Sequence, residues 1–233
     1  MVRADYRLAD VFKKWHINYC CGGNLPLDEV CHLQGLDKAK VEAEMQQAQQ
    51  TILLSNALAY EEWPVDFLVE YIVHVHHAYI KTVVPKLAET MAAFVVGHQQ
   101  KHPELAPVHE HFKKLAATAA AQLQHEEEVV FPYFKQVNNA LKRKESYGPL
   151  FVRTMRKSVA ETAGKAQQQM LQLLTNLRTA THHYTFPEGA CTNYRVIYGK
   201  LKEFDADLVQ HKHLENNVLF PKVAQMEKEL LQL

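Results

Sequence analysis

The sequence predicts an all-α protein, an up-down-up-down four-helix bundle preceded by a small helical module. Glycine is scarce, at 8 of 233 residues, and Ala, Leu, Gln, Lys and Glu, which favour helices, dominate the long segments. No convincing run of β-branched residues alternates with polar ones, as a half-buried strand would require. Four long amphipathic segments are joined by short breaks, and short connections favour antiparallel neighbours.

The first domain is predicted over residues 1–55 as a module of short helices. Its segments are LADVFKKWHINY, LDEVCHLQG and DKAKVEAEMQQAQQ, and a CCGG turn separates the first two. Asp37 is the first residue of the third segment and is a suitable N-cap, because its side chain can accept hydrogen bonds from the first free backbone N–H groups. A connecting stretch that ends in Trp63-Pro64 then leads into the bundle.

The second domain is predicted over residues 64–233 as the four-helix bundle. Breaks near KHPEL, around SYGP and at HHYTFPEGA divide it. The helices are predicted at about 64–97, 104–138, 149–181 and 191–231. Pro85 falls inside the first of them, where it is expected to bend the axis or interrupt the hydrogen bonding.

Charge and composition exclude several classes of partner. Lys plus Arg equals Asp plus Glu, 26 against 26, and like charges form no runs, so neither nucleic acid nor an anionic membrane is favoured. No segment approaches the roughly 20 apolar residues that cross a bilayer, and the start lacks a secretory pattern. Four cysteines, two of them adjacent, suit a reducing compartment. We therefore expect a cytoplasmic protein that binds a small ligand or another protein.

A repeat relates the second and fourth predicted helices. His211 and Glu215 lie four positions apart and therefore share one helix face, where they could bind a metal ion. QLQHEEEVVFPYF matches HKHLENNVLFPKV, so that Glu126 precedes Glu215 by 89 residues, and the Phe-Pro pairs coincide. The residue equivalent to His211 in the earlier copy is Gln122.

The same offset relates the first and third helices. His77 maps near Gln167, about 90 residues later. Each hairpin would then place one residue from its first helix and an i, i+4 pair from its second helix towards the bundle axis, as in dinuclear carboxylate bundles. Two of the expected imidazoles are amides in this chain.

Three motifs resemble the Repair of Iron Centres family, hemerythrin-like di-iron proteins that repair iron–sulfur clusters. They are INYCCGG, the segment HAYIKTVVP followed by VVGHQQKHPEL, and ACTNY with HKHLENNVLFP, and the likeness covers essentially the whole chain. The resemblance implies a hemerythrin-like bundle in which two irons are held by histidines from all four helices and by two bridging glutamates. Carried over by position, the implied metal ligands are His77, His98, Glu126, His211 and Glu215. The family has histidine where this chain has Gln122 and Gln167.

The resemblance also implies a function. It predicts an iron-binding protein that repairs iron–sulfur clusters after nitrosative or oxidative stress, with damaged or apo iron–sulfur proteins as partners, nitric oxide or O2 as small ligands, and a homodimer as one assembly. The alternative is a divergent binding or sensing protein for nitric oxide, O2 or redox state, with one metal or none. Enzymatic turnover is left open.

The two glutamines leave the metal content open. A dinuclear site completed by water, a weakened or single-metal site and a metal-free bundle are the three alternatives, because an amide carbonyl binds metal more weakly than imidazole does. His74, one turn before His77, is the candidate substitute ligand, whereas His125 points about 100° away from Glu126. The remaining histidines are interpreted as surface or loop residues: His76, His102, His109, His111, His182, His183 and His213.

Cys20 and Cys21 support two interpretations. Adjacent cysteines form a disulfide only with strain, so free thiols that bind iron or an iron-nitrosyl, or exchange with a partner, are one reading. A tight packed turn, in which the following glycines adopt positive φ, is the other. Cys31 and Cys191 are interpreted as structural.

Overall fold

All regular structure in the described part of the chain is helical. The computed structural model describes residues 1–2, 5–19, 25–49 and 58–232, with the side chains of 157–166 excepted, and no strand occurs among them. The all-α prediction is therefore confirmed. None of the helices in these ranges is long and apolar enough to span a membrane. The chain divides into two compact units, Met1–Asn56 with Thr181–Lys202, and Ala57–Ala180 with Glu203–Leu233.

Three short helices form in the described N-terminal part of the first unit. They are α1 (Leu8–Lys14), α2 (Leu27–Gln34) and α3 (Lys38–Gln49). The Asp37 carboxylate accepts hydrogen bonds from the backbone N–H groups of Ala39 and Lys40, at 3.1 and 3.3 Å, so its predicted role as an N-cap is correct. Gly35 ends α2 with φ of 64°, a left-handed conformation that favours glycine.

The first unit also includes a segment that the sequence placed in the bundle domain. Residues 181–202 belong to this unit, and Val196 joins the buried core that α1 to α3 build. Gly199 lies against the ring of Tyr6 so closely that an added Cβ would come within 2.7 Å of it. The predicted first domain, 1–55, did not include this segment, from which Val196 contributes to the small core.

The second unit is built from four long helical stretches, three of which contain a π-helical turn. The first stretch is α4 (Val65–Tyr71), a π turn (Ile72–His77) and α5 (Ala78–His98). The second is α6 (Leu105–His125), a π turn (Glu126–Val130) and α7 (Phe131–Arg143), and the third is α8 (Gly148–Ala180). The fourth is α9 (Thr192–His213), a π turn (Leu214–Leu219) and α10 (Phe220–Leu231), of which the part from Glu203 onward belongs to this unit. Helix α5 continues across Pro85 without a break.

Two of the π turns follow from the Phe-Pro pairs that the sequence repeats. The backbone N–H of Phe131 donates to the carbonyl of Glu126, five residues earlier, and that of Phe220 donates to the carbonyl of Glu215. The proline after each phenylalanine has no N–H, and its ring crowds the carbonyl four residues before it. A widened turn relieves that crowding. The repeat in the sequence is thus a repeat in backbone geometry, and such turns often occur at functional sites.

An apolar core packs directly against the three π turns. Its members are Val65, Leu68, Val69, Ile72, Val130, Phe131, Tyr133, Phe134, Val137, Ala140, Val152, Leu214, Val218, Leu219, Val223 and Leu230. Side chains that leave the π turns towards the bundle axis therefore meet an environment that excludes water. Polar groups placed there need partners, since an unpaired buried polar group is costly.

Candidate metal centre

Four side chains of the types that bind metal ions meet in the interior of the second unit. His77, Glu126, His211 and Glu215 are each at most 3% exposed, and one donor atom from each lies within 4.8 Å of all the others. His77 ends the first π turn, Glu126 begins the second, and Glu215 lies at the start of the third. The widened backbone thus occurs where three of the four donors are attached.

The distances between these donors suit one shared divalent ion. The Nε2 atoms of His77 and His211 are 3.2 Å apart, His77 Nε2 is 3.3 Å from Glu126 Oε2, and His211 Nε2 is 3.0 Å from Glu215 Oε1. Nitrogen and oxygen donors that bind one ion at about 2.0–2.2 Å lie roughly 3–4 Å from each other. Glu126 Oε2 is buried and has no hydrogen-bond partner among the residues that the structure describes. A cation at this point would satisfy it.

Glu127 fixes the proton of His77. Its carboxylate lies 2.7 Å from His77 Nδ1 and also contacts Lys81. Burial alone would raise the pKa of Glu127, but the hydrogen bonds from Lys81 and His77 outweigh burial and lower it. An ionised carboxylate only accepts hydrogen bonds, so Nδ1 carries the proton and Nε2 presents its lone pair to the cluster. A carboxylate behind a histidine commonly orients metal ligands in this way.

His211 is held neutral. Burial, followed by the positive charge of Lys212, lowers its pKa well below the usual value for histidine. Neutral imidazole is the form that binds metal. The ring of His76 stacks on His211 at 5.6 Å, and His76 Nδ1 lies 2.8 Å from Asp207 Oδ1. The interpretation of His76 as a surface or loop residue is wrong, because its side chain is only 2% exposed.

Lys212 lies on the opposite side of the two glutamates. Its Nζ is 2.9 Å from Glu126 Oε1 and 2.5 Å from Glu215 Oε2. Burial by itself would lower the pKa of Lys212, but the two carboxylates outweigh burial and raise it. Gln122 donates from Nε2 to the same Glu126 oxygen, at 2.7 Å. Lys212 was not predicted from the sequence, although its i, i+3 spacing to Glu215 is a usable signal.

Two residues named from the sequence are not in the cluster. His98 lies at the end of α5, 21 residues beyond His77, which is about 31 Å along a helix. Its ring stacks on Phe94, with Nδ1 2.9 Å from the Phe94 carbonyl, so the assignment of His98 as a ligand is corrected. The His74 side chain is 74% exposed and contacts Glu70. It is no substitute ligand, because the π turn changes which residues share a face.

The remaining predicted residues have different outcomes. Gln122 is buried beside Glu126, as its alignment with His211 implies. Gln167 lines a cavity together with Lys212. Cys20 and Cys21 lie outside the described residues, so their thiol role stays a prediction. Cys31 is a free thiol buried in the core of the first unit, and Cys191 is half-buried.

Comparisons with known proteins agree with this architecture. Residues 69–223 match the hemerythrin HHE cation binding domain, and residues 1–49 match a domain of unknown function, ScdA_N. The iron-sulfur cluster repair protein YtfE of Yersinia pestis (strain Pestoides F) is 26% identical over 224 residues, or 95% of this chain and 93% of the relative.

A second relative gives the same result. The YtfE protein of Yersinia pseudotuberculosis serotype IB (strain PB1/+) is 26% identical over 220 residues, or 93% of this chain and 91% of the relative. The resemblance predicted from the sequence motifs is therefore confirmed. Because the hemerythrin match extends over more than half of the sequence, the chain belongs to the hemerythrin HHE cation binding domain family.

Proposed function

We propose that this chain binds iron in the bundle and acts in the repair of iron–sulfur clusters damaged by nitrosative or oxidative stress. The observation that carries the proposal is the buried cluster of His77, Glu126, His211 and Glu215, whose donor atoms lie within 4.8 Å of one another. Relatives that align over nearly the whole chain are iron-sulfur cluster repair proteins. Damaged or apo iron–sulfur proteins are therefore the proposed partners.

The donor types suit iron. Imidazole nitrogen with carboxylate oxygen binds divalent iron, manganese or zinc, and selection among these metals depends on geometry and availability. His77, Glu126, His211 and Glu215 would hold the iron, which would supply binding of nitric oxide or O2, or iron for a damaged cluster. The protein's own contribution is to orient the donors, since Glu127 holds the His77 proton on Nδ1, and burial keeps His211 neutral.

A cavity lies beside the cluster, on the Lys212 side. A cavity of about 300 Å³ is lined by Lys212, Gln167, Leu208, Asn216 and other residues of α8, α9 and the third π turn. Lys212 separates this cavity from the carboxylates that it contacts. A ligand the size of nitric oxide or O2 fits such a space. A cytoplasmic location and a homodimer remain predictions from the sequence.

The test compares two histidines that are two residues apart. Protein purified without chelator is loaded with Fe²⁺ under anaerobic conditions, and recovery of cluster absorbance is followed in a nitric-oxide-treated iron–sulfur protein. His211→Ala should lose both bound iron and repair. His213→Ala should keep both, because His213 is exposed and contacts only Asn217 among the described residues. Equal repair by the two variants would refute the proposal.

A single-metal sensor of nitric oxide or O2 is the second candidate function. The observation that favours it is that the four donors surround one point, with Lys212 occupying the far side of both glutamates. A sensor keeps its iron, whereas a repair protein transfers it. Loading the chain with ⁵⁷Fe and measuring isotope in the repaired cluster separates the two, since transfer of label is expected only for repair.

A further inference from the structure

We propose that the Lys212 ammonium takes the place of the second metal ion of a dinuclear centre, so that the chain holds one metal beside a cation of its own. The proposal deepens the function proposed above and rests on metal binding by the same cluster. It assigns a role to a residue that lies next to a ligand in the sequence and is itself no metal ligand.

The two glutamates divide their oxygens between two sides. Glu126 Oε2 and Glu215 Oε1 face the imidazoles, at 3.3 Å from His77 Nε2 and 3.0 Å from His211 Nε2. Glu126 Oε1 and Glu215 Oε2 face Lys212 Nζ, at 2.9 and 2.5 Å. Carboxylates that bridge two cations present one oxygen to each in this manner. Here one of the two cations is an ammonium group.

Gln122, one of the two amides found at the expected histidine positions, lies on the ammonium side. Gln122 donates to Glu126 Oε1, the same oxygen that accepts from Lys212. Gln167 lines the cavity that Lys212 borders. On the other side both imidazoles are retained. The amide at position 122 therefore lies on the side of the glutamates that the Lys212 ammonium occupies.

Charge explains why a cation is needed there. Glu126 and Glu215 are at most 3% exposed, and two buried carboxylates without counter-charge are strongly unfavourable. Lys212 supplies positive charge that does not depend on metal supply. Its side chain is 13% exposed, so it reaches the carboxylates along the cavity wall. An ammonium at hydrogen-bond distance from both oxygens leaves no room for an ion that binds oxygen at about 2.0–2.2 Å.

The test counts metal ions per chain in four proteins. Each is loaded with Fe²⁺ anaerobically, separated from free metal and measured by mass spectrometry. The native chain should bind about one iron. The double variant Gln122→His/Gln167→His, which keeps Lys212, should still bind about one iron, because Lys212 Nζ occupies the position of the second metal. The triple variant, which adds Lys212→Ala, should bind close to two irons per chain. Lys135→Ala is the matched control, since Lys135 pairs with Glu70 on the surface, and it should stay at one.

The outcomes separate this inference from the proposed function. Two irons in the native chain, or in the double variant with Lys212 retained, would overturn the role of Lys212 while leaving metal binding intact. A folded triple variant that still binds only one iron per chain would also overturn the role of Lys212. No iron in the native chain would overturn both proposals.

X-ray absorption of the native protein needs no variant. It should show no iron–iron distance near 3.5 Å, the lower end of the separation of about 3.5–4 Å in two-metal sites. The presence of that distance would contradict the inference.

Discussion

Removal of the Glu127 carboxylate should weaken metal binding without removing any ligand. Glu127 lies 2.7 Å from His77 Nδ1 and is the only hydrogen-bond partner of that nitrogen in the described part of the chain. Without it, His77 can shift its proton to Nε2 or rotate, and either change withdraws the lone pair from the cluster. Changes of this kind typically cost about 10- to 100-fold in metal affinity, or roughly 1.4–2.7 kcal/mol.

The structure also ranks two substitutions. Glu127→Ala removes the acceptor and should give the full loss. Glu127→Gln keeps an acceptor oxygen at the same position and loses only the charge, so its effect should be smaller. Lys81 loses the negative charge of its partner in both variants, but its side chain is 54% exposed, and exposed ion pairs contribute little.

The assay is a competition titration of Fe²⁺ with a coloured chelator under anaerobic conditions. Glu128→Ala is the control, since Glu128 is the next residue, is exposed and contacts only Gln124 among the described residues. It should bind Fe²⁺ like the native chain. Equal dissociation constants for Glu127→Ala and Glu128→Ala would refute the role assigned to Glu127.

Two further predictions concern pH and the thiols. Because the pKa of His211 is lowered in the folded chain, the unfolded chain binds more protons below about pH 6.5, and metal-free protein should lose up to about 1.4 kcal/mol of stability per pH unit there. The free energy of unfolding of His211→Asn, measured with urea, should therefore depend less on pH than that of the native chain. Equal slopes of this free energy against pH in the two proteins would contradict the prediction. Replacing Cys20 and Cys21 by Ser should impair cluster restoration but leave the iron content of the bundle unchanged, and unimpaired restoration would remove the proposed thiol role.

The long helices could be predicted closely from the sequence. The first was expected at 64–97 and runs from Val65 to His98 with its π turn, and the third was expected at 149–181 and is Gly148–Ala180. Apolar periodicity and breaking residues determine such boundaries. The π turns were not predicted, although the Phe-Pro repeat marks two of them.

The ligands could be predicted only where helix geometry relates them. His211 and Glu215 share a face at i, i+4, and the 89-residue repeat adds Glu126. His98 was assigned by resemblance alone, and the rise along α5 places it about 31 Å from His77. A residue can therefore match a family motif and still lie far from the cluster along the helix axis.

The sequence by itself determined the helices, the repeat and the pair at 211 and 215, because contacts three or four residues apart follow from the geometry of a single helix. Only the tertiary structure decided that Lys212 reaches Glu126, 86 residues away, and that Glu127 reaches His77, 50 residues away. Those contacts depend on how far each helix is rotated and shifted against its neighbours. Packing of the apolar core sets both quantities, and no local pattern in the sequence records them.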